Sequence, residues 1–347
     1  MEKIATLSES ERRDLFTETA VRLNISPMVV EKDFWVSWTL HRLFSSPEIG
    51  KRIIFKGGTS LSKVYQLIGR FSEDIDLILD WRLLGLDIPK PGDFASRNQQ
   101  NRILKQLEKY SLEFLSGDFF PRIGELLAPV CKCEADVENK HGLRIIYPAI
   151  FTSSYLRSNL LLEIGPLAAW CPNDRRSISP MASKVFPHVF QKPETAVTVI
   201  RPERTFWEKV TILHCEAFRP DNRQFPHRYS RHYYDVMMIS QSPVKDLALA
   251  NGELLQEVVR FKQHFYPCTW ANYELAKPPT IRLLPEDDKL SGLRQDYAAM
   301  TEMFFLKPPS FSNLLSGLKC LEQEINSPAS TDTTHSLKLR NIRQPEG

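Results

Sequence analysis

The segment Ile53–Asp80, IIFKGGTSLSKVYQLIGRFSEDIDLILD, decides the fold prediction. It begins with a short apolar run and passes through Gly57-Gly58. Apolar side chains then recur at helical spacing, which predicts a strand, a tight turn and a helix. From Asp74 to Asp80, acidic and apolar residues alternate, which predicts a second strand. Together with the strands predicted between Cys133 and Ile164 and the helices predicted after Pro202, this unit indicates an α+β N-terminal half and a helical C-terminal half, and therefore an α+β fold.

The turn itself is a candidate phosphate site. Two adjacent glycines let the backbone bend sharply and let an anion approach the amide groups, while the following helix adds unpaired N–H groups. A hydroxyl of Thr59 or Ser60 can donate a further hydrogen bond to a phosphate oxygen. The turn is not a P-loop, because Lys56 precedes the glycines instead of following them. Taken alone, the turn is better explained as a tight strand–helix connection without a ligand.

The second strand gives this segment a chemical interpretation. Asp74 and Asp76 are two residues apart, so their side chains share one face of the strand, about 6–7 Å apart. Paired carboxylates suit hard cations such as Mg²⁺, which bridge phosphate oxygens in phosphoryl and nucleotidyl transfer. A solvated polar face is the alternative, and it is weakened by the repulsion between like charges on one face.

These residues resemble the first signature of the AbiEii/AbiGii nucleotidyltransferase toxin family, within the DNA polymerase β-like nucleotidyltransferases. The signature covers Lys56–Leu61 and, after one helix, Arg70–Leu77. Two later stretches match in the same order: Pro202–Lys209, which ends in Glu-Lys, and Arg231–Asp235. The resemblance spans roughly residues 30–245. It implies a two-lobed, polymerase β-like core with a short mixed sheet, followed by a helical C-terminal lobe.

The resemblance also implies roles for individual residues. The catalytic set is Asp74, Asp76, Lys209 and Asp235. The nucleotide-binding set is Lys56, Gly57, Gly58, Thr59, Ser60, Arg70, Ser72 and Lys209. The implied cofactor is Mg²⁺ or Mn²⁺, the substrate an NTP and the acceptor an RNA, such as the 3′ end of tRNA. As a toxin of a toxin–antitoxin or phage-defence system, the protein is expected to have a cognate antitoxin.

Three assignments keep alternatives. Glu163, a lone acid in an apolar strand, is predicted as a third metal ligand with Asp74 and Asp76, but pairing with an arginine explains it equally well. Asp136 and Glu138 compete with it for the metal. Lys209 shares a helix face with apolar residues and can simply extend to solvent. Asp235 can form an ion pair with Arg231, one helical turn away, instead of positioning Lys209 or the nucleotide.

A basic and aromatic group surrounds the loop before Asp235, and as a cluster it is a candidate contact for an acceptor nucleic acid or NTP. For its individual members, a solvated charged face is the simpler interpretation. The group consists of Arg219, Arg223, His227, Arg228, Tyr229, Arg231 and His232.

Composition excludes several other classes. The 347 residues are 25% charged and 42% hydrophobic, which is typical of a globular protein. With 45 Lys and Arg against 42 Asp and Glu, the net charge of +3 does not itself indicate a nucleic-acid binder. No apolar run is long enough to span a membrane, and the N-terminus lacks the apolar core of a secretory signal. The six cysteines have no zinc-ligand spacing, so we expect a cytoplasmic protein with reduced thiols.

The predicted organisation has three parts. Residues 1–200 form the nucleotidyltransferase α+β domain with N-terminal helices, residues 201–326 a helical domain and residues 327–347 a disordered tail. Within the first part, residues 168–194 are predicted to be irregular, and Arg97–Leu127 to be helical with a break near Asp118 and Pro121.

Two other functional classes remain compatible with the residues. One is a non-catalytic NTP- or RNA-binding module of the same fold. The other is a metal-dependent phosphohydrolase or nuclease, which would leave the Gly-Gly-Thr turn without a purpose.

Overall fold

The computed structural model describes residues 1–72, 74–86, 96–152, 158–166 and 171–327. Seven strands within this part are β1 Ile53–Lys56, β2 Asp74–Leu79, β3 Lys132–Ala135, β4 Gly142–Ile146, β5 Leu160–Gly165, β6 Asn173–Ile178 and β7 Thr195–Ile200. The helices before β7 are α1 Glu2–Ala5, α2 Glu9–Leu23, α3 Pro27–Ser45, α4 Gly57–Lys63, α5 Arg97–Phe114, α6 Phe120–Leu127 and α7 Met181–Val185. Those after it are α8 Pro202–Ala217, α9 Ser230–Ser240, α10 Val244–Leu249, α11 Gly252–Phe265, α12 Leu290–Ala299 and α13 Phe311–Asn326.

The seven described strands form one mixed sheet in the order β3-β4-β5-β2-β1-β7-β6. The strand that carries the paired aspartates, β2, lies in its interior, antiparallel to β1 and parallel to β5. Because side chains alternate across a strand, residues that are register partners on neighbouring strands project from the same face. The register therefore decides which side chains join Asp74 and Asp76.

Two large hydrophobic clusters fill the molecule. The first joins α2, α3 and α6 to the sheet, with Trp35, Trp38 and Phe55 at most 1% exposed. The second is built from the helices after β7 and includes Phe206 and Tyr233, both fully buried. The α+β class and the helical C-terminal half are therefore as predicted.

The segment between α4 and β2 is held by the C-terminal half of the chain. The Phe71 N–H donates to the Met303 carbonyl (2.7 Å), and the N–H groups of Phe305 and Leu306 donate to the Gly69 carbonyl (3.1 Å each). The Gly69 N–H donates to the Tyr234 hydroxyl (3.0 Å). The chain segment that leads into β2 is thus held in place by residues that come much later in the sequence.

One local prediction was wrong, and the structure adds detail to two others. Residues 173–178 form the edge strand β6 and residues 181–185 a short helix, although this region was expected to be irregular. An edge strand that exposes polar side chains lacks the apolar alternation on which the prediction depended. The predicted helix after the glycine turn is short: it covers Gly57–Lys63, and Gln66, at a positive φ of 54°, turns the chain beyond it. The predicted break near Asp118 is a π-helical turn, Leu115–Phe119, which carries the chain from α5 into α6. Pro121 lies in the first turn of α6 and does not end the helix.

No helix among the described residues is long and apolar enough to cross a membrane. The predicted disordered tail, residues 327–347, lies outside the described residues apart from Ser327, which ends α13.

Candidate active site

The paired aspartates of β2 line a cleft of about 200 Å³. Ile75 and Leu77 are at most 1% exposed and face the core, so Asp74 and Asp76 face the opposite way. Asp76 is the register partner of Lys56 on β1 and of Glu163 on β5. Three adjacent strands thus bring one cation and two carboxylates side by side, with Asp74 one step along the same face.

The glycine turn packs directly against these carboxylates. Gly57 has a φ of +76°, and a Cβ atom there would lie 1.9 Å from Oδ2 of Asp76. A Cβ at Gly58 would lie 2.9 Å from both Nη2 of Arg70 and Oγ of Ser72. Only glycine fits these two positions, because the backbone lies against the side chains that build the cleft.

The hydroxyl groups after the turn have other partners. Thr59 donates to the main-chain carbonyl of Asp74, and Ser60 donates to the Gly57 carbonyl (2.8 Å). Both side chains are buried, at 4% and 0% exposure. The expected hydroxyl bonds to phosphate are therefore not what this geometry offers: the Thr59 hydroxyl holds the turn against β2, and the Ser60 hydroxyl bonds within the turn. Ser72 does line the cleft.

A buried charge cluster forms the opposite wall. The carboxylate of Asp235 on α9 accepts two hydrogen bonds from Arg70, from Nε and Nη2, each 2.7 Å long. Its Oδ2 lies 2.9 Å from Nζ of Lys209 on α8. The side chains of Asp235, Arg70 and Lys209 are 0%, 2% and 8% exposed. Arg70 thus pairs with Asp235, which is 165 positions away in the sequence, and holds the Asp235 carboxylate in place.

The charges in this cluster shift one another's protonation. Burial alone would raise the pKa of Asp235, but Arg70 and Lys209 hold it below its ordinary value. Burial, together with repulsion from Arg70, lowers the pKa of Lys209 despite the attraction of Asp235. Burial and the Lys209 charge also lower the pKa of His232 far below its ordinary value, and its Nδ1 lies 3.3 Å from Lys209 Nζ. His232, which sequence reasoning placed only in the basic loop cluster, therefore contacts the catalytic candidate Lys209 as a neutral ring.

Of the two interpretations of Asp235, the structure shows the contact with Lys209 and not the helical pair with Arg231. Among the described ion pairs, the partners of Asp235 are Arg70 and Lys209. Arg231 lines the cleft instead, together with His232.

Glu163 is the third carboxylate of the cleft. Its Oε1 accepts a hydrogen bond from Nδ2 of Asn139 (2.8 Å), so an amide takes the place of the arginine considered from the sequence. Burial and the neighbouring Asp76 raise the pKa of Glu163. Asp136 instead accepts from Arg144 (2.7 Å) and from two main-chain N–H groups, and Glu138 is exposed. Asn139 was missed because nothing in its local sequence marks it.

The basic loop group does not form one surface. Arg219 pairs with Glu216 (2.6 Å), and the Arg223 guanidinium lies 4.4 Å from the centre of the Trp270 ring. Both residues line a separate cavity, whereas Arg231 and His232 line the cleft. The idea of a single nucleic-acid contact made by the whole group is therefore not supported by their placement.

The donor set of the cleft suits a hard divalent cation, because carboxylate oxygens of Asp74, Asp76 and Glu163 face it. In the described part of the chain, no three His, Cys, Asp or Glu side chains converge closely enough to form a metal centre by themselves. The mutual repulsion of these carboxylates is what a bound cation would relieve.

A mixed sheet that sets paired carboxylates beside a Gly-Gly turn, under a helix carrying a buried lysine, is the arrangement of a nucleotidyltransferase. The sequence model of the AbiEii nucleotidyl transferase toxins, which act in type IV toxin–antitoxin systems, matches residues 38–317. The chain belongs to this family and is a nucleotidyltransferase toxin, whose class of substrate is the NTP and whose cognate partner is an antitoxin. The resemblance read from the sequence is thereby confirmed.

Among solved structures, the chain is similar to MenT4, a nucleotidyltransferase toxin from Mycobacterium tuberculosis. The identity is 15% and the TM-score 0.45, with 89% of this chain and 98% of that chain covered. No curated protein matches the sequence.

Proposed function

We propose that the protein transfers a nucleotidyl group from an NTP to a hydroxyl group of RNA, with a divalent cation held by Asp74, Asp76 and Glu163. The observation that carries this proposal is the joint placement of these three carboxylates, the Gly57-Gly58 turn and Lys209 around one cleft. Mg²⁺ is the cation we propose, with Mn²⁺ as its usual substitute for oxygen ligands.

The residues of the cleft divide into anionic and cationic groups. The carboxylates lie on β2 and β5, while Lys56, Lys209 and Arg231 supply positive charge around them. Gly57 and Gly58 line the cleft beside Arg70 and Ser72. Because they carry no side chains, the backbone of the turn lies closer to a bound phosphate than any other residue type would allow. We propose that the triphosphate lies between this turn and Lys209, with its α-phosphorus toward Asp76 and Glu163.

In the transfer step, the acceptor hydroxyl oxygen forms a bond to the α-phosphorus, and the bond from that phosphorus to the oxygen bridging to the β-phosphate breaks. The hydroxyl proton is released to solvent. Pyrophosphate leaves with that bridging oxygen. A divalent cation held by the cleft carboxylates would stabilise the charge on the attacking and leaving oxygens. Lys209 adds a fixed positive charge beside the leaving group, because Asp235 holds its ammonium in place at 2.9 Å.

We further propose that the acceptor is cytoplasmic RNA, with the 3′ end of tRNA as the first candidate, and that its modification underlies a role in phage defence. This rests on the family and on the cationic residues that face the cleft. A nuclease or phosphohydrolase would not need the close fit between Gly57 and Asp76.

The test is a labelling assay with purified protein, Mg²⁺, total cellular RNA and each α-labelled NTP in turn. Incorporation of label into an RNA band by wild type, lost in Asp76→Asn, is the expected result. Asp80→Asn is the matched control, because Asp80 follows the same strand but pairs with Arg82 (2.7 Å) outside the cleft.

Label on RNA that persists in Asp76→Asn would contradict the assignment of the carboxylates. Label on the protein itself would replace RNA by a side chain as the acceptor. Loss of RNA without incorporation of label would indicate a nuclease and overturn the proposal.

A further inference from the structure

A second cavity, of about 380 Å³, lies beside the cleft between α8 and α11. One wall is the face of α8 that carries Arg204 and Glu208, and the opposite wall carries Phe261 and Lys262 of α11. No role assigned above uses this space. We call it the aromatic pocket, for the rings described below.

The aromatic pocket adjoins the cleft directly. Lys56, Glu208 and Ile212 line both spaces. Lys56 is also the residue immediately before Gly57, so its side chain lies where the phosphate-facing turn meets the pocket. A molecule with phosphates against the turn can therefore extend into the aromatic pocket without leaving the protein surface.

Aromatic side chains supply the walls and the entrance. Tyr229, Phe261, Tyr266 and Tyr273 all face the space. The rings of Phe261 and Tyr266 have centroids 6.3 Å apart and are inclined by 48°, and Tyr266 is 47% exposed. A large ring half-exposed at the entrance of a cavity is suited to stacking on a planar ligand, and nucleobases stack on such rings whatever their sequence.

Polar groups accompany the rings. The Lys262 ammonium donates to the Glu208 carbonyl (3.0 Å), and burial lowers its pKa to about 8. The Glu208 carboxylate accepts from Arg204 (3.1 Å). Charged groups at the wall of a mainly aromatic space favour a ligand with hydrogen-bonding edges over a purely apolar one. A nucleobase combines a stacking face with such edges.

Building on the proposed function, we infer that the aromatic pocket binds the base of the donor NTP. The shared lining with the cleft favours the donor over the RNA acceptor, because the donor's phosphates are the part that the turn receives. The pocket volume is that of a small-molecule site and not of a groove for a polynucleotide strand. Base selection among the four NTPs is then made by Glu208 and Lys262.

Binding is measured for each of the four NTPs and for inorganic tripolyphosphate, always with Mg²⁺. The comparison allows this inference and the proposed function to fail separately. Tripolyphosphate occupies only the phosphate part of the site. We expect wild type to bind one NTP more tightly than tripolyphosphate. Tyr266→Ala should weaken NTP binding by about 5- to 150-fold, the loss of one base stack, and should leave tripolyphosphate binding unchanged.

Two control variants accompany this test. One keeps an aromatic ring at position 266, and the other removes a tyrosine outside the pocket. Tyr266→Phe keeps the stacking surface and should bind NTP nearly as wild type does. Tyr110→Ala removes a tyrosine of similar exposure (40%) on α5, outside both cavities, and should have no effect. Phe261→Leu is a second pocket variant, and unfolding temperatures without ligand show whether each variant is folded.

The outcomes are distinct. Weaker NTP binding with intact tripolyphosphate binding supports the inference. Unchanged NTP binding in both pocket variants overturns it, and if RNA labelling nevertheless falls, the pocket serves the acceptor. A wild type that binds NTP no better than tripolyphosphate also overturns it. A wild type that binds neither refutes the proposed function itself.

Discussion

Replacing Asp235 by asparagine tests the buried charge cluster most directly. Asp235 is the shared partner of two cations, Arg70 at 2.7 Å and Lys209 at 2.9 Å, and all three side chains are at most 8% exposed. Asparagine keeps the shape but leaves both cations without a counter-charge. Removing one partner of a buried ion pair costs about 3–5 kcal/mol of unfolding free energy.

For a chain of 347 residues this cost corresponds to a fall of about 4–7 °C in unfolding temperature, at roughly 2.1 cal/mol/K of unfolding entropy per residue. The measurement is thermal and urea unfolding of wild type and variant, together with the RNA labelling assay. We expect Asp235→Asn to lose labelling as well, because Lys209 then loses the carboxylate that holds its ammonium in place and favours its charged form.

The pH dependence supplies a second readout. The pKa of Lys209 is already lowered in the folded protein, and without Asp235 it falls further. Between that lowered pKa and the unfolded value of about 10.4, the unfolded chain binds more protons, so stability rises with pH. The deficit of Asp235→Asn should therefore shrink as the pH is raised toward 10.

The matched control is Asp33→Asn, on α3. Asp33 forms a similarly buried pair with Lys63, at 4% and 7% exposure, away from the cleft. It should destabilise the protein comparably but retain labelling per folded molecule. A destabilisation below about 1 kcal/mol by Asp235→Asn would refute the reasoning, since that is the value of an exposed pair.

The remaining predictions concern single positions. Gly57→Ala should abolish labelling, because its Cβ would lie 1.9 Å from the Asp76 carboxylate. The control Gly85→Ala, at a similar φ of +66° but in open space, should cost only the backbone strain of about 1–2 kcal/mol and leave labelling intact. Glu163→Gln should raise the metal-free unfolding temperature by ending the repulsion with Asp76, and should reduce the further rise that Mg²⁺ causes; an unchanged Mg²⁺ response would contradict the metal assignment. Lys262→Met should reduce the gain in stability that wild type shows from pH 8 toward 10, because burial lowers the pKa of this lysine to about 8. Lys209 contributes the rest of the gain, and an equal slope in both proteins would assign the Lys262 share to another group.

The parts of the site that the sequence predicts are those with a local physical signal. Alternation along β2 places Asp74 and Asp76 on one face, and two adjacent glycines mark a turn that a Cβ cannot enter. Both features depend on residues within a few positions of one another, so no knowledge of the tertiary structure is needed.

Other features depend on distant partners. Arg70 is a nucleotide-binding candidate in the sequence, but Asp235, 165 residues later, takes its guanidinium. The sequence indicates no partner for the hydroxyls of Thr59 and Ser60, whereas in the fold both donate to main-chain carbonyls. Asn139 joins the site only because the β3–β4 loop reaches Glu163 on β5. The polar edge strand β6 has no apolar alternation and is recognised only by its pairing with β7.

The hydrogen bonds that hold the segment before β2 have a consequence for the synthesis of the toxin. The aspartates emerge from the ribosome early, but Gly69 and Phe71 find their partners only when Met303, Phe305 and Leu306 have been made. Asp235 likewise arrives well after Arg70. A nascent chain that stops before these residues therefore lacks the contacts that fix the cleft, and the site is completed only after Leu306 has been made.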